Sequence, residues 1–284
     1  MNQDLNKASA PVDEDGKVYH LRLEKGDVPE CMILPGPPER TVIIAKNWED
    51  ARELASYREY KTIVGSYKNT PVGTTSTGIG AASSEIAIHE LFTLGVCTCI
   101  RVGTTGAIQP RYGLGDLVIP AACVRHDGTS NNYIEPAYPA AADTVVTMAL
   151  MQACENLGYR YGVGVGYTAA SFYIGQGRAV GRYEPSFMAD IIPDLQSAGV
   201  INMEMEAAGQ FVVGRLHGMR MGAILAVVAN RVTDEWGDRG GEEKAARAAS
   251  EAVYLLKDWE DSGEITVKLS GRLRVGAEDG KRPG

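Results

Sequence analysis

The sequence predicts one α/β domain built on a mixed, largely parallel central sheet with helices on both sides. Three observations lead there. Short apolar runs of strand length alternate with longer stretches of helical period along most of the chain. Gly accounts for 33 of 284 residues, against an average near 7%, which implies many tight turns and close backbone approaches. No internal repeat and no linker separates two halves, so a single domain is expected.

In chain order the expected strands are CMILPG, VGTTSTG, CTCIRVG, LVIPAACV, VGVGYTAA, GVINMEM and GAILAVVANR. Each is a short apolar run, as a strand buried on both faces requires. The expected helices are SSEIAIHELFTLG, TVVTMALMQACENLG, MEAAGQFVVGRLHG and EEKAARAASEAVYLLKDW, where apolar residues recur at helical spacing. Residues 1–17 are polar, contain Pro and Asp, and read as a flexible N-terminal arm. Residues 18–269 read as the domain, and 270–284 as a flexible C-terminal tail.

The start of the chain lacks the apolar core of a signal peptide, and no run of 18 apolar residues exists. A soluble, cytoplasmic protein is therefore expected, with no membrane partner. The net charge of −8 argues against nucleic acid as a partner. It leaves room for a small anion held by a few Arg. The cysteines Cys31, Cys97, Cys99, Cys123 and Cys154 are odd in number, lack zinc-type spacing, and read as reduced core residues. His20, His89, His126 and His217 show no metal spacing.

In parallel sheets ligands sit beyond the carboxyl ends of the strands. Candidate residues are therefore sought just after the apolar runs. PGPPER holds Gly36, whose backbone can approach an anion, and Arg40, a donor for phosphate oxygens. Its Pro pair can open a helix, but Gly-Pro-Pro is also an ordinary turn. RVGTTGAI is stronger: Arg101 lies on an apolar strand, where burial costs heavily unless it is paired. Thr104 adds a hydroxyl, and the set suits a tetrahedral oxyanion. The competing reading is a turn with Arg101 bound to a neighbouring carboxylate.

NMEMEAA carries Glu204 and Glu206, two residues apart, which point the same way on an extended segment. A carboxylate there can accept from vicinal sugar hydroxyls, or the pair can be the acidic start of a helix. SFYIGQGR offers Phe172 for stacking, Gln176 for a C(=O)–NH edge and Arg178 for charge on a carbonyl oxygen. Taken alone it is a polar loop. No Ser/His/Asp arrangement, Walker motif or dinucleotide fingerprint is present.

Together these segments resemble the trimeric and hexameric nucleoside phosphorylases, nearest to their uridine-cleaving members, over about Val18 to Leu256. YHLRLEKGDV resembles the family's opening segment, whose His enters a neighbouring subunit's site, here His20. ASYREYKT resembles a segment whose Arg reaches phosphate across the interface, here Arg58. RVGTTGAIQP is the most specific match. The resemblance implies phosphate on Gly36, Arg40, Arg58, Arg101 and Thr104, and ribose on His20, Thr104, Met205 and Glu206. It implies the base on Phe172, Gln176, Arg178 and Glu204, with Arg101, Glu206 and Arg178 as the catalytic set.

Purine-cleaving relatives carry an Asp after the strand that ends here in Asn230-Arg231, which points to a pyrimidine. Two departures stand out: Gly-Pro-Pro-Glu-Arg where Asp residues are frequent, and Ile174-Gly175 where Pro-Gly is usual. The implied reaction is uridine plus phosphate to uracil and ribose 1-phosphate, with no metal or organic cofactor in the chemistry. The family also allows a monovalent cation, K+, at a dimer interface near Glu59, Ile79 and Ser83. Shared sites imply a homodimer, assembled further into a hexamer. The alternatives are a purine or methylthioadenosine phosphorylase or nucleosidase on the same fold, or a nucleoside-binding protein without catalysis.

Overall fold

Every apolar run forms a strand and every stretch of helical period forms a helix in residues 11–263, the part of the chain described by the computed structural model. The order is β1 (Cys31–Pro35), α1 (Pro38–Ala45), β2 (Glu49–Tyr57), β3 (Tyr60–Tyr67), β4 (Thr70–Thr75), α2 (Ala81–Leu94), β5 (Thr98–Ala107), β6 (Leu117–His126) and β7 (Ala140–Ala141). There follow α3 (Thr144–Leu157), β8 (Tyr161–Ala169), α4 (Ile191–Ser197), β9 (Asn202–Glu204), α5 (Ala207–Leu216), β10 (Arg220–Asn230), β11 (Glu235–Trp236) and α6 (Gly241–Ser262). Helix ends follow local chemistry. The Asp143 carboxylate accepts from the N–H groups of Val145 and Val146 to start α3, and Gly158 closes it at φ 66°. The Pro37-Pro38 pair opens α1, since the first helical N–H needs no partner.

The strands form one mixed sheet in the order β11-β10-β6-β8-β9-β5-β1-β4-β3-β2, with β7 beside β6. A further pairing of β10 with β5 closes β5, β10, β6, β8 and β9 into a ring. The parallel pairs are β1–β4, β1–β5, β5–β10, β6–β8 and β8–β9. The antiparallel additions are the meander β2–β3–β4, the β10–β6 and β5–β9 closures, and the short strands β7 and β11.

Two apolar clusters flank the sheet. One joins Ile33, Ile100 and Ile224 to Ile44 of α1, Leu150 of α3 and Ala249 of α6. The other joins Leu34, Cys99 and Ala223 to Ile88 of α2 and Phe211 of α5. A third, with Ala107, Val118, Leu225 and Val227, links β5, β6 and β10 within the ring. The core is therefore split by the sheet, as a helix-covered sheet requires.

The arm expected over residues 1–17 is structured where it is described. Val12 bridges to Val18, and Asp13 accepts from the N–H groups of Asp15 and Lys17 and pairs with Arg22 at 3.1 Å. Residues 1–10 and 264–284, including the tail at 270–284, lie outside the described residues. All five cysteines are free thiols. No described helix is long and apolar enough to cross a membrane.

Candidate active site

The strand ends converge on a cleft of about 290 Å³. It brings together Gly36, Arg40, Arg101, Thr104, Phe172, Gln176, Arg178, Glu204, Met205 and Glu206, all singled out from the sequence, and Ile79 from the proposed cation set. Pro37, Thr105, Gly106, Met203, Val228, Ala229 and Trp236 complete the lining.

One expectation about placement is corrected. GTTG does not follow its strand; β5 runs on through Ala107, so Thr104 sits within it as Arg101 does. The cause is pairing: the later half of β5 has β10 on one side, with Thr104 opposite Ala226, and β9 on the other, with Gly106 opposite Met203.

Arg101 is 3% exposed and bound by two carboxylates. Its Nε donates to Glu204 Oε2 at 3.0 Å and its Nη2 to Glu206 Oε2 at 2.5 Å. The phosphate reading and the carboxylate-pair reading of this Arg are thus not exclusive, because Nη1 is buried without a hydrogen-bond partner. A buried donor in that state costs roughly 1–3 kcal/mol, and the Arg101 side chain borders the cleft. Gly103 makes the pose possible: a Cβ there would lie 2.8 Å from Arg101 Nη2 and 2.8 Å from Leu225 Cδ2. Burial works against the Arg101 charge, but Glu206 and Glu204 outweigh it and raise its pKa.

The two carboxylates differ in what remains free. Glu204 ends β9, and its Oε2 also accepts the N–H groups of Glu206 and Ala207, while its Oε1 accepts the Thr168 hydroxyl. Four protein donors hold it, three of them on Oε2, and Glu204 still lines the cleft. Glu206, just before α5, accepts from Arg101 and from the Gly80 N–H at 2.6 Å and keeps spare lone pairs. Burial, with the neighbouring Glu204 charge, raises its pKa against the pull of Arg101.

Arg40 is anchored from α6, donating through Nε to Glu242 Oε2 at 2.8 Å. In the loop after β8, Arg178 Nη1 donates to the Gln176 side-chain oxygen at 2.6 Å and to the Phe172 carbonyl at 2.7 Å. Its guanidinium lies 4.0 Å over the Phe172 ring. A guanidinium only donates, so the amide oxygen of Gln176 must face it and the NH2 turns away. Burial, then the nearby Arg231, lowers the Arg178 pKa to about 10.

Arg231 fastens this loop to β10, donating to the carbonyls of Gln176 at 2.8 Å and Gly177 at 3.3 Å. Asn230 is consumed structurally: it donates to the carbonyls of Gln109 and Tyr112 and accepts from Val232 and Thr233. Trp236 and Glu242 escaped the sequence reading, and Arg231 was noted there only as the place where an acid is missing. An aromatic shortly after the strand ending in Asn230 was the available signal for Trp236, which is 71% exposed.

His20 and Arg58 do not line the cleft of their own chain. His20 is held by Glu90, which accepts from its Nδ1 at 2.7 Å and from the N–H groups of His20 and Leu21. Arg58 occupies the β2–β3 turn at φ 54°, with its guanidinium 5.5 Å from the Tyr57 ring. Glu59 and Ser83 meet, the Ser83 hydroxyl donating to Glu59 Oε1 at 3.0 Å, beside the Gly78-Ile79 backbone.

Comparison with known proteins places this geometry. A profile described as phosphorylase superfamily matches residues 30–258. The chain is 48% identical over 262 residues to uridine phosphorylase of Thermococcus kodakarensis, covering 92% of this chain and 94% of the relative. It is 38% identical over 227 residues to uridine phosphorylase of Escherichia coli, covering 77% and 88%. It is 35% identical over 242 residues to guanosine phosphorylase of Halorubrum lacusprofundi, covering 85% and 92%. With the match spanning the strands and loops that build the cleft, the chain belongs to the phosphorylase superfamily.

Proposed function

We propose that this enzyme cleaves uridine with phosphate, giving uracil and ribose 1-phosphate. The observation that carries it is Arg101: a buried guanidinium with one nitrogen unpartnered, in the same cleft as Glu206 and the Gln176–Arg178 pair. A mere nucleoside binder has no need of such a donor, whereas an attacking anion does. The relatives named uridine phosphorylase support the pyrimidine. The relative named guanosine phosphorylase favours a purine as the second reading, and the full commitment of Asn230 to backbone groups speaks against an acid at that place.

The chemistry follows from where charge develops. Phosphate, held by Arg101, Arg40, the Gly36 backbone and the Thr104 hydroxyl, faces C1′. As the bond from C1′ to the base lengthens, its electron pair passes to the base and spreads onto the carbonyl oxygens. The Arg178 charge and the Gln176 NH2 stabilise that anion, so electrostatics lowers the barrier without a strong general acid. Glu206 accepts from the ribose hydroxyls and keeps C1′ within reach of the phosphate oxygen that bonds to it. The reading puts the enzyme in the cytoplasm, as a homodimer assembled into a hexamer, with K+ near Glu59, Ile79 and Ser83.

Uridine incubated with the protein is expected to release uracil only when phosphate is present. Release at the same rate in water alone identifies a nucleosidase, and binding without release a nucleoside binder; either result ends the proposal.

The shared site has its own test. A chain carrying His20→Ala and Arg58→Ala and a chain carrying Arg101→Ala are each expected to be nearly inactive. Mixed dimers of the two regain activity, because one site then receives intact residues from both chains. Mixed dimers that form and stay inactive contradict shared sites.

A further inference from the structure

Among the groups around the cleft, one buried hydroxyl has a defined direction and no part in the mechanism above. Thr168 ends its side chain inside the ring, on β8, in register with Glu204 of β9. It is fully buried. Its oxygen accepts the Ala208 N–H at 2.9 Å, and its single proton goes to Glu204 Oε1 at 2.5 Å. With that donor on Oε1, the other oxygen of Glu204 faces Arg101 Nε and the first amides of α5.

We propose that Thr168 is a positioning residue for phosphate: acting through Glu204, it fixes the orientation in which Arg101 presents its guanidinium to the cleft. The proposal rests on the phosphorolysis reading. Its physical basis is the small number of constraints on the guanidinium. Glu204 holds Nε, Glu206 holds Nη2, and the absence of a side chain at Gly103 leaves the space the group occupies. Glu206 must also serve the ribose, so Glu204 is the anchor dedicated to orientation. A carboxylate on one hydrogen bond fewer can turn about its last torsion, which is broad for Glu, and Nε turns with it.

The same bonds close another route for the anion. The N–H groups of Glu206 and Ala207 go to Glu204, and that of Ala208 goes to Thr168. The start of α5 therefore offers its amides to protein oxygens, and phosphate depends on groups elsewhere, Arg101 first.

Thr168→Val keeps the volume and removes the hydroxyl; Thr168→Ser keeps the hydroxyl and removes a methyl. The valine variant is expected to raise the KM for phosphate about tenfold, with the KM for uridine within about twofold. The serine variant is expected to keep the phosphate KM near that of the parent. Inorganic phosphate is also expected to raise the Tm of the parent and of the serine variant, and to raise that of the valine variant less. If the valine variant does not fold, Thr168→Ala takes its place.

A packing role alone predicts the opposite order, with valine the milder change at a fully buried site. That order, equal shifts in both KM values, or an unchanged phosphate KM in the valine variant overturns the proposal. A parent protein whose Tm ignores phosphate overturns the phosphorolysis reading instead, so the two failures are distinct.

Discussion

Arg101→Ala lowers kcat/KM for uridine by on the order of 3 kcal/mol, a hundredfold or more. The loss has two sources. The variant lacks the Arg101 guanidinium in the cleft, so phosphate and the charge around C1′ are held less well. It also strands Glu204 and Glu206, which are 1% and 7% exposed, as neighbouring carboxylates without their shared cation. Steady-state kinetics in both substrates checks this, with thermal unfolding to separate catalysis from stability. A variant that turns over uridine near the parent rate, with the same demand for phosphate, contradicts the assignment.

The second large effect is base choice. Uridine is expected to exceed inosine and adenosine in kcat/KM by two orders of magnitude or more. The arrangement behind this is the Gln176–Arg178 pair: the amide oxygen is turned to the guanidinium and the NH2 is left for a ligand carbonyl. Adenosine has no carbonyl and leaves these groups unpaired, inosine must present its one carbonyl from a larger, differently placed ring, and no acid stands at Asn230-Arg231 to protonate either. Gln176→Ala is expected to reduce uridine turnover while phosphate still binds. Measured rates on a panel of nucleosides decide it. Comparable cleavage of inosine or adenosine removes the pyrimidine assignment and leaves the phosphate assignment standing.

Much of this architecture is legible in the sequence because burial on both sides of a sheet leaves apolar runs. All seven runs became strands. Four of the elements that escaped show why. Strand β2, EDARELASY, is mostly exposed and so carries no apolar run. Helix α4 is seven residues with a Pro inside, too short to show a period. Strands β7 and β11 are two residues each and exist only through their pairing.

The site was legible as a set of residue types and illegible as a set of bonds. Arg101, Glu204 and Glu206 could each be picked out, but their mutual contacts span more than a hundred positions. Nothing local in NMEMEAA says that one carboxylate takes four protein donors and the other two. The trans placement of His20 and Arg58 comes from resemblance; neither residue lines the cleft of its own chain.

The ring of β5, β10, β6, β8 and β9 has a consequence for how such an enzyme can diverge. A closed ring has no free edge along which a strand can slip, so its circumference fixes the separation between its strand ends. The anion-holding residues ride on β5 and on the loop after β1. The groups facing the base ride on the loop after β8 and the β10–β11 hairpin. Insertions and substitutions in those two connections can reshape what is recognised without moving Arg101, since the ring beneath them keeps its gauge. Recognition and reaction are thereby separable inheritances: one is carried in loops open to variation, the other in a frame whose geometry resists it.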